Sequence, residues 1–460
     1  MFRFWLKILP NNLMNSALRF FANAGVWLSW GFVASSLAGA PTAPATVPDT
    51  LDLATAIGFA LDNNYAIRQA RERIKQQDGV VVEVASRTIP TVAAGAAYQL
   101  NEREISSGFP ASNQLWQINL TASQALYSGG GVESAVKSSK LGREAAVLDL
   151  QAVINDALFQ VRTAFYGVLL AREQIKVQES NLQLLEQQLK MASDRFEAGT
   201  VSSFEKLRAE VAIANAKVPL ITARNTYRLA IETLRQALGF SANTPETSRK
   251  VPDFLGSLEF SPQNFDLQAA FDAARAQRPD LERIAKLADA RAEGVTTARA
   301  NLYPNLSAFG GWTLRKGLGN NFADSNHGWQ IGLQSQWNVF DARATQGRVA
   351  QAKSALEQTR LTLGEARLAV DIEVRRAHSQ WQQATELADA SARVVEQATE
   401  SVRLANARYT AGSSTQLEVL SSQVDLTTAR TNQIQAYYAY NVAVAALRKA
   451  TGLTDEFIKK

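Results

Sequence analysis

Arg195-Phe196-Glu197-Ala198-Gly199-Thr200 returns 213 residues later as Arg408-Tyr409-Thr410-Ala411-Gly412-Ser413. Leu238-Gly239 and Thr451-Gly452 keep that spacing, as do Leu126-Tyr127 and Val339-Phe340. Upstream, Asp52-Leu53 answers Asp266-Leu267 and Ile89-Pro90 answers Tyr303-Pro304, now 214 apart. A drift of one residue over such a length leaves two copies of one unit with almost no insertion between them. The 460 residues therefore read as one elongated body of two similar halves, not as a string of ordinary domains.

Each half opens with a helical pattern, residues 52 to about 88 and 266 to about 302. Pro90 and Pro304 stop it, because proline has no N–H to give and disfavours helix in the residue before it. The period then changes from 3.6 to 2. Trp116, Ile118, Leu120 and Ala122 alternate with Gln117, Asn119, Thr121 and Ser123; Trp329, Ile331, Leu333 and Trp337 alternate with Gln330, Gln334, Gln336 and Asn338. Residues 92–100 and 306–314 read as weaker partner strands, joined through Asn-, Ser- and Gly-rich loops at 101–115 and 315–328. A half-buried soluble sheet also alternates. Two details favour a membrane: the polar face carries amides and hydroxyls with few charges, and Trp116, Tyr127, Trp329 and Phe340 stand near strand ends as in an aromatic girdle. The alternation predicts that Ile118, Leu120, Ile331 and Leu333 face lipid, and Gln117, Asn119, Gln330 and Gln334 the lumen.

After each hairpin, a turn at Gly129-Gly130-Gly131 or Asp341-Ala342-Arg343 opens a proline-free run, from Gly131 to Ala198 and from Ala342 to Ala411. At 1.5 Å per residue these are helices about 100 Å long, which cannot fold back into a globule. Ile175, Gln178, Leu182, Leu185, Leu189, Ala192 and Phe196 mark a seam, repeated by Ala388, Ser391, Val395, Ala398, Val402, Ala405 and Tyr409. Its 3.5-residue period is a coiled-coil signature. Gly199 and Gly412 end these helices and polar residues lead into returning ones, so each half finishes as a helical hairpin with a tight turn. Pro219 lies inside the first returning helix, opposite Asn432 of the second, which predicts a kink on one side only.

Cysteine is absent, which removes disulfides, thiolate chemistry and the acylated N-terminal cysteine of a lipoprotein. The two histidines, His327 and His378, read as solvated or packed side chains. No phosphate loop, nucleophile motif or metal-ligand spacing occurs, so no enzyme activity, cofactor or metal is expected, and the glycines at 129–131 read as a strand-to-helix corner. Arg3, Lys7 and Arg19, the apolar stretch 20–33 and small residues around Ala38 and Ala40 read as an export signal over 1–40, with Met1 or Met14 as its start. An uncleaved membrane anchor is the rival reading. Without those three basic residues the net charge falls from +5 to +2, and with no sustained Lys/Arg cluster nucleic acid is not an expected partner.

Four strands cannot close a barrel alone, and an open edge in a bilayer strands N–H and C=O groups, so other subunits must complete it. From residue 52 to about 453 the chain resembles the TolC family of outer-membrane efflux proteins. The resemblance rests on Ala85 to Pro90 and Ala300 to Pro304 leading into strands, on the corners Leu126-Tyr127-Ser128-Gly129-Gly130 and Val339-Phe340-Asp341, and on the two turns quoted first, all in duplicated order. It implies a mainly α fold with a membrane β-barrel: a homotrimer in outer-membrane lipid, whose 12-stranded barrel continues into a periplasmic α-helical barrel. It implies a passive exit duct for efflux or type I secretion, docked to a periplasmic adaptor (membrane fusion) protein and an inner-membrane pump or ABC exporter.

The layout is then a signal peptide at 1–40, a flexible leader at 41–51 and a first repeat at 52–240, with its β-hairpin at 91–127 and helical hairpin at 131–240. A linker at 241–265 leads to the second repeat at 266–453, with hairpins at 305–340 and 342–453, and a tail at 454–460. Members of the family close the periplasmic tip with polar and acidic side chains, and the matching positions are Glu205, Tyr409 and Glu418. A basic residue some members carry two past the second glycine is Ser414 here, and an acidic position one turn deeper is Ser421. The resemblance makes Arg195, Gly199, Thr200, Val201, Ser202, Arg408, Gly412, Ser413 and Ser414 the adaptor-docking tip. From the residues alone, Glu205 and Glu418 also read as solvated helix positions. The alternative function is an exported coiled-coil structural or adaptor protein that enters no membrane.

Overall fold

The computed structural model describes residues 49–102, 114–240, 251–317 and 324–453. The expected export signal, most of the expected leader, the first part of the expected linker, the C-terminal tail and residues 103–113 and 318–323 of the strand loops lie outside the described residues.

The duplication is visible element by element. A short strand β1 (Thr50–Leu51) precedes α1 (Leu53–Asn63), α2 (Tyr65–Ala85), β2 (Thr91–Leu100), β3 (Gln114–Tyr127), α3 (Gly131–Glu197) and α4 (Ser203–Leu238). After β4 (Asp253–Phe254), which pairs in parallel with β1, the series returns as α5 (Leu267–Gln277), α6 (Pro279–Arg299), β5 (Asn305–Lys316), β6 (Ser325–Gln336), α7 (Ala344–Thr410) and α8 (Gln416–Thr451). The long helices α3 and α7 each hold 67 residues, and the returning α4 and α8 each hold 36.

One expectation is corrected. The opening helix of each half is two helices, broken at Asn64 and at Arg278. Asn64 leaves helical geometry at ψ 127 and its side chain caps α2, accepting from the N–H groups of Ala66 and Ile67. Pro279 starts α6 at a position where its missing N–H does no harm, and it holds Arg278 extended at φ −74, ψ 118. Hydrophobic periodicity runs through both breaks and conceals them. Pro219 lies inside α4 without ending it.

Next to the strands, the helices lie side by side in the order α2-α3-α6-α7, and toward the turns in the order α4-α3-α8-α7. The long α3 and α7 belong to both layers. Where the layers meet, each repeat has a core: Ile57 and Ala60 of α1 against Val161, Phe165 and Val168 of α3 and Leu234 of α4, and Phe271 and Ala274 of α5 against Val374 and Trp381 of α7 and Leu447 of α8.

The four long strands form one antiparallel sheet in the order β2-β3-β5-β6. Paired residues of a sheet share a face. Ala96, Ile118, Leu314 and His327 stand on one line, as do Ala94, Leu120, Trp312 and Trp329, while Gly310 faces Ile331 and Ala308 stands between Gln124 and Leu333, so this mainly apolar face also holds His327 and Gln124. The opposite face carries Gln117, Asn119, Thr121, Ser123, Thr313, Gln330 and Gln334. Ile331 and Leu333 are 77% and 69% exposed in the chain, as an apolar face turned to lipid requires. Gly129 and Gly130 adopt left-handed φ of 60 and 79 at the corner into α3; Ala342 and Arg343 do the same at φ 51 and 69 before α7, without glycine.

Candidate gate and docking turns

Both helical hairpins turn by the same device. Gly199 (φ 72) and Gly412 (φ 75) are left-handed. The N–H of Gly199 donates to the Phe196 carbonyl and that of Thr200 to the Arg195 carbonyl, both at 2.9 Å. In the second turn Gly412 donates to Tyr409 at 3.1 Å and Ser413 to Arg408 at 2.9 Å. This paired pattern satisfies the last carbonyls of each long helix. The hydroxyls of Thr200 and Ser413 add a second bond to the same arginine carbonyls, at 2.9 and 3.1 Å. Gly199, Thr200, Ser202, Gly412 and Ser413 are exposed at the tips, with Val201 and Ser414 half-buried.

An arginine and a glutamate, ten positions apart, straddle each turn: Arg195 with Glu205, and Arg408 with Glu418. Ser202 to Glu205 and Thr415 to Glu418 have the spelling of a capping box, yet neither Ser202 nor Thr415 caps its helix with its side chain. The glutamates turn to other partners. Glu418 accepts from Arg408 Nη1 at 2.7 Å and from Ser414 Oγ at 2.6 Å.

Arg195 and Glu205 are instead bridged by Tyr409 of the other hairpin. Its hydroxyl donates to Glu205 Oε2 at 3.2 Å, the Arg195 guanidinium lies over its ring at 4.5 Å from the centroid, and Arg195 Nη1 reaches the Tyr409 carbonyl at 3.5 Å. Tyr409 is 5% exposed and packs with Ala405 and Val419. Burial, followed by the negative charge of Glu205, pushes the Tyr409 phenol above its ordinary value, with Arg195 opposing. One step deeper, Gln188 Nε2 donates to Asn406 Oδ1 at 2.8 Å and joins the two hairpins again. Phe196, the counterpart of Tyr409, is 41% exposed, so the seam closes at its last position in the second repeat only.

The structure thus gathers the sequence-marked residues into three places. Arg195, Glu205 and Tyr409 form a clasp between hairpins, Arg408, Ser414 and Glu418 a lock within one hairpin, and Gly199, Thr200, Ser202, Gly412 and Ser413 stay exposed at the tips, with Val201 half-buried. The side chains of both arginines, which the family resemblance assigns to the docking surface, belong to these contacts. The repeated ten-residue Arg-to-Glu spacing was the signal for them; nothing in the sequence pointed to Gln188 and Asn406. Beside this lock, Arg393, Glu396, Glu400 and Leu404 line a groove of about 720 Å³ along α7 and α8.

A two-faced antiparallel sheet with one mainly apolar and one mainly polar side, continued by helices about 100 Å long, defines an outer-membrane channel extended into the periplasm. The chain belongs to the outer membrane efflux protein family, which matches residues 56–240 and 270–453, one block in each repeat. It is similar to protein CyaE of Bordetella pertussis, 26% identical over 410 residues that cover 88% of this chain and 84% of that protein. It is also similar to the pyoverdine export outer membrane protein OpmQ of Pseudomonas aeruginosa, 26% identical over 415 residues, 85% of this chain and 83% of that one. Its fold matches the Campylobacter jejuni CmeC outer membrane channel with a TM-score of 0.75 at 16% identity, covering 87% of this chain and 85% of that. The protein is an outer-membrane component of efflux and secretion, and the alternative of an exported rod outside the membrane falls.

Proposed function

We propose that three copies of the chain complete one passive exit duct. The observation that carries this reading is the four-stranded sheet whose edges, β2 and β6, have no partner strand among the described residues. In hydrocarbon each unpaired backbone group costs several kcal/mol, and a barrel of eight strands would be filled by its own side chains. Three sheets joined edge to edge give 12 strands and leave an aqueous bore. From Tyr303 to Trp312 the chain advances about 30 Å at ~3.3 Å per residue, or roughly 23 Å across the bilayer at a ~40° tilt, close to the apolar band of such barrels.

In this reading Gly199, Thr200, Val201, Ser202, Gly412 and Ser413 dock a periplasmic adaptor, which joins the duct to an inner-membrane pump or ABC exporter. Glu205 and Tyr409, with Arg195, hold the tip closed, and Glu418, paired with Arg408 inside its own hairpin, lines it. The duct carries out no catalysis and uses no cofactor. Its lumen face offers amides and hydroxyls of no single cargo chemistry, so the pump selects the cargo.

Detergent extraction of outer membranes tests this reading: the chain should migrate as a trimer, conduct in planar bilayers, and, with Thr200→Cys or Ser413→Cys, crosslink to an adaptor in whole cells. A monomer in the outer membrane, or a trimer without conductance, would overturn it.

A further inference from the structure

The arginine and glutamate that straddle each turn are seen in two arrangements within one molecule. In the second repeat Arg408 and Glu418 meet directly at 2.7 Å. In the first, Tyr409 stands between Arg195 and Glu205 and satisfies both. The frames are otherwise alike: helices of 67 and 36 residues, a left-handed glycine at the same place, and the arginine carbonyl held by the N–H and hydroxyl of the residue after that glycine. What differs is the intruder. Tyr409 reaches into the first turn, whereas its counterpart Phe196, which has no hydroxyl, is turned out to solvent.

We propose that opening of the tip exchanges the Tyr409 clasp for a direct Arg195–Glu205 ion pair, the arrangement that the second repeat already holds as Arg408–Glu418. This rests on the reading of the tip as a gate. In the closed state Glu205 takes the phenol and Arg195 covers the ring. When the hairpins part, both groups lose that partner at once, and an unpaired charge at a half-buried site is costly. Direct pairing removes the cost, so the first turn is a two-state element with a satisfied arrangement at each end. Arg195 is its positioning residue, with its side chain on the gate tyrosine and its carbonyl held by Thr200 of the docking turn. A partner that engages Thr200 therefore acts on the residue that chooses between the two states.

Single-channel recordings of the full-length trimer in planar bilayers test the exchange, because open probability is read per channel and does not depend on yield. Tyr409→Phe removes the hydroxyl and is expected to raise open probability about two- to fivefold. Adding Arg195→Gln to Tyr409→Phe takes the ion pair from the open state and is expected to reverse that rise by about two- to fivefold. Arg195→Lys in the same background keeps it, and so does the exchanged pair Arg195→Glu with Glu205→Arg. If Arg195 merely packs against the ring, the sign is opposite: Arg195→Gln with Tyr409→Phe opens at least as far as Tyr409→Phe alone, which would overturn the exchange while leaving the gate in place. If Tyr409→Phe and Glu205→Gln singly conduct like the parent, the gate reading fails and the exchange falls with it.

Discussion

Asn64 and Arg278 hold the same place in the two repeats and reach equivalent carbonyls: Asn64 Nδ2 donates to Ala237 O at 2.7 Å, and Arg278 Nη1 to Ala450 O at 3.2 Å. Each stitches the break between the two opening helices to the end of the returning helix, where Gly239 and Gly452 turn the chain at φ 82 and 71 and leave carbonyls without helical partners. Arg278 also binds Asp280 at 2.8 Å and Glu373 at 2.6 Å, with its side chain 11% exposed. The second joint is therefore held by charge and the first by a neutral amide.

That difference predicts different responses to acid. Burial favours the neutral form of Asp280, but the hydrogen bond and charge of Arg278 outweigh it and hold the carboxyl below its ordinary value of 3.8. A depressed carboxylate contributes stability that is full above its unfolded value and is lost as pH falls through the folded one. Helical unfolding of the detergent-solubilised protein should therefore lose stability below about pH 3.8, a loss that Arg278→Met abolishes after an initial cost of roughly 2–3 kcal/mol. Asn64→Ala should cost about 1–2 kcal/mol, equally at all pH. An acid profile unchanged by Arg278→Met would show that Asp280 draws its stability elsewhere.

On the sheet, Leu333 and Gln334 are neighbours on opposite faces. Leu333→Arg should cost roughly 2–4 kcal/mol near the bilayer midplane and lower trimer yield, while Gln334→Leu inserts normally. The reverse pattern of assembly would exchange lipid and lumen.

Where strand turns into helix, the repeats solve one geometry with different residues. A Cβ at Gly129 would lie 2.7 Å from the Ala300 carbonyl oxygen and 2.9 Å from Tyr303 Cβ, so Gly129→Ala should cost more than the ~1–2 kcal/mol of left-handed strain alone. Ala342 bears that strain at φ 51, and Ala342→Gly should stabilise the folded protein by up to about 1 kcal/mol. Equal melting of Ala342→Gly and parent would mean that the corner is relaxed.

The duplication, both hairpins and the turns were legible because each has a local cause: a period of 2 or of 3.5, a proline stop, a left-handed glycine. The helix breaks were hidden for the same reason. Asn64 caps α2 through a side-chain bond and stitches to Ala237, 173 positions away, while Pro279 at the first turn of a helix fits a helical pattern. At the tip, the family resemblance marked Glu205 and Tyr409 separately. That they touch, and that Arg195 covers the ring, depends on how two hairpins pack, which no single periodicity records.

Around Gly199 and Gly412 an added Cβ would meet no heavy atom within 4 Å, so a side chain there disturbs nothing within the chain beyond strain of about 1–2 kcal/mol. Gly199→Leu and Gly412→Leu should form trimers and insert, yet abolish export by blocking the adaptor. Export that survives both substitutions would place docking elsewhere.

At the second turn, the charge of Glu418 is balanced by Arg408 at 2.7 Å, so a ring of three such pairs has less cation preference than a ring of bare carboxylates. Removing either partner should then move selectivity in opposite directions. Glu418→Gln leaves Arg408 uncompensated and should shift the reversal potential toward anions; Arg408→Gln frees the carboxylate and should shift it toward cations. Both shifts should shrink in high salt, where the screening length falls from ~10 Å at 0.1 M to ~3 Å at 1 M. If neither substitution moves the reversal potential, alone or together with Glu205→Gln, these residues lie outside the conducting path and serve only to hold the hairpins.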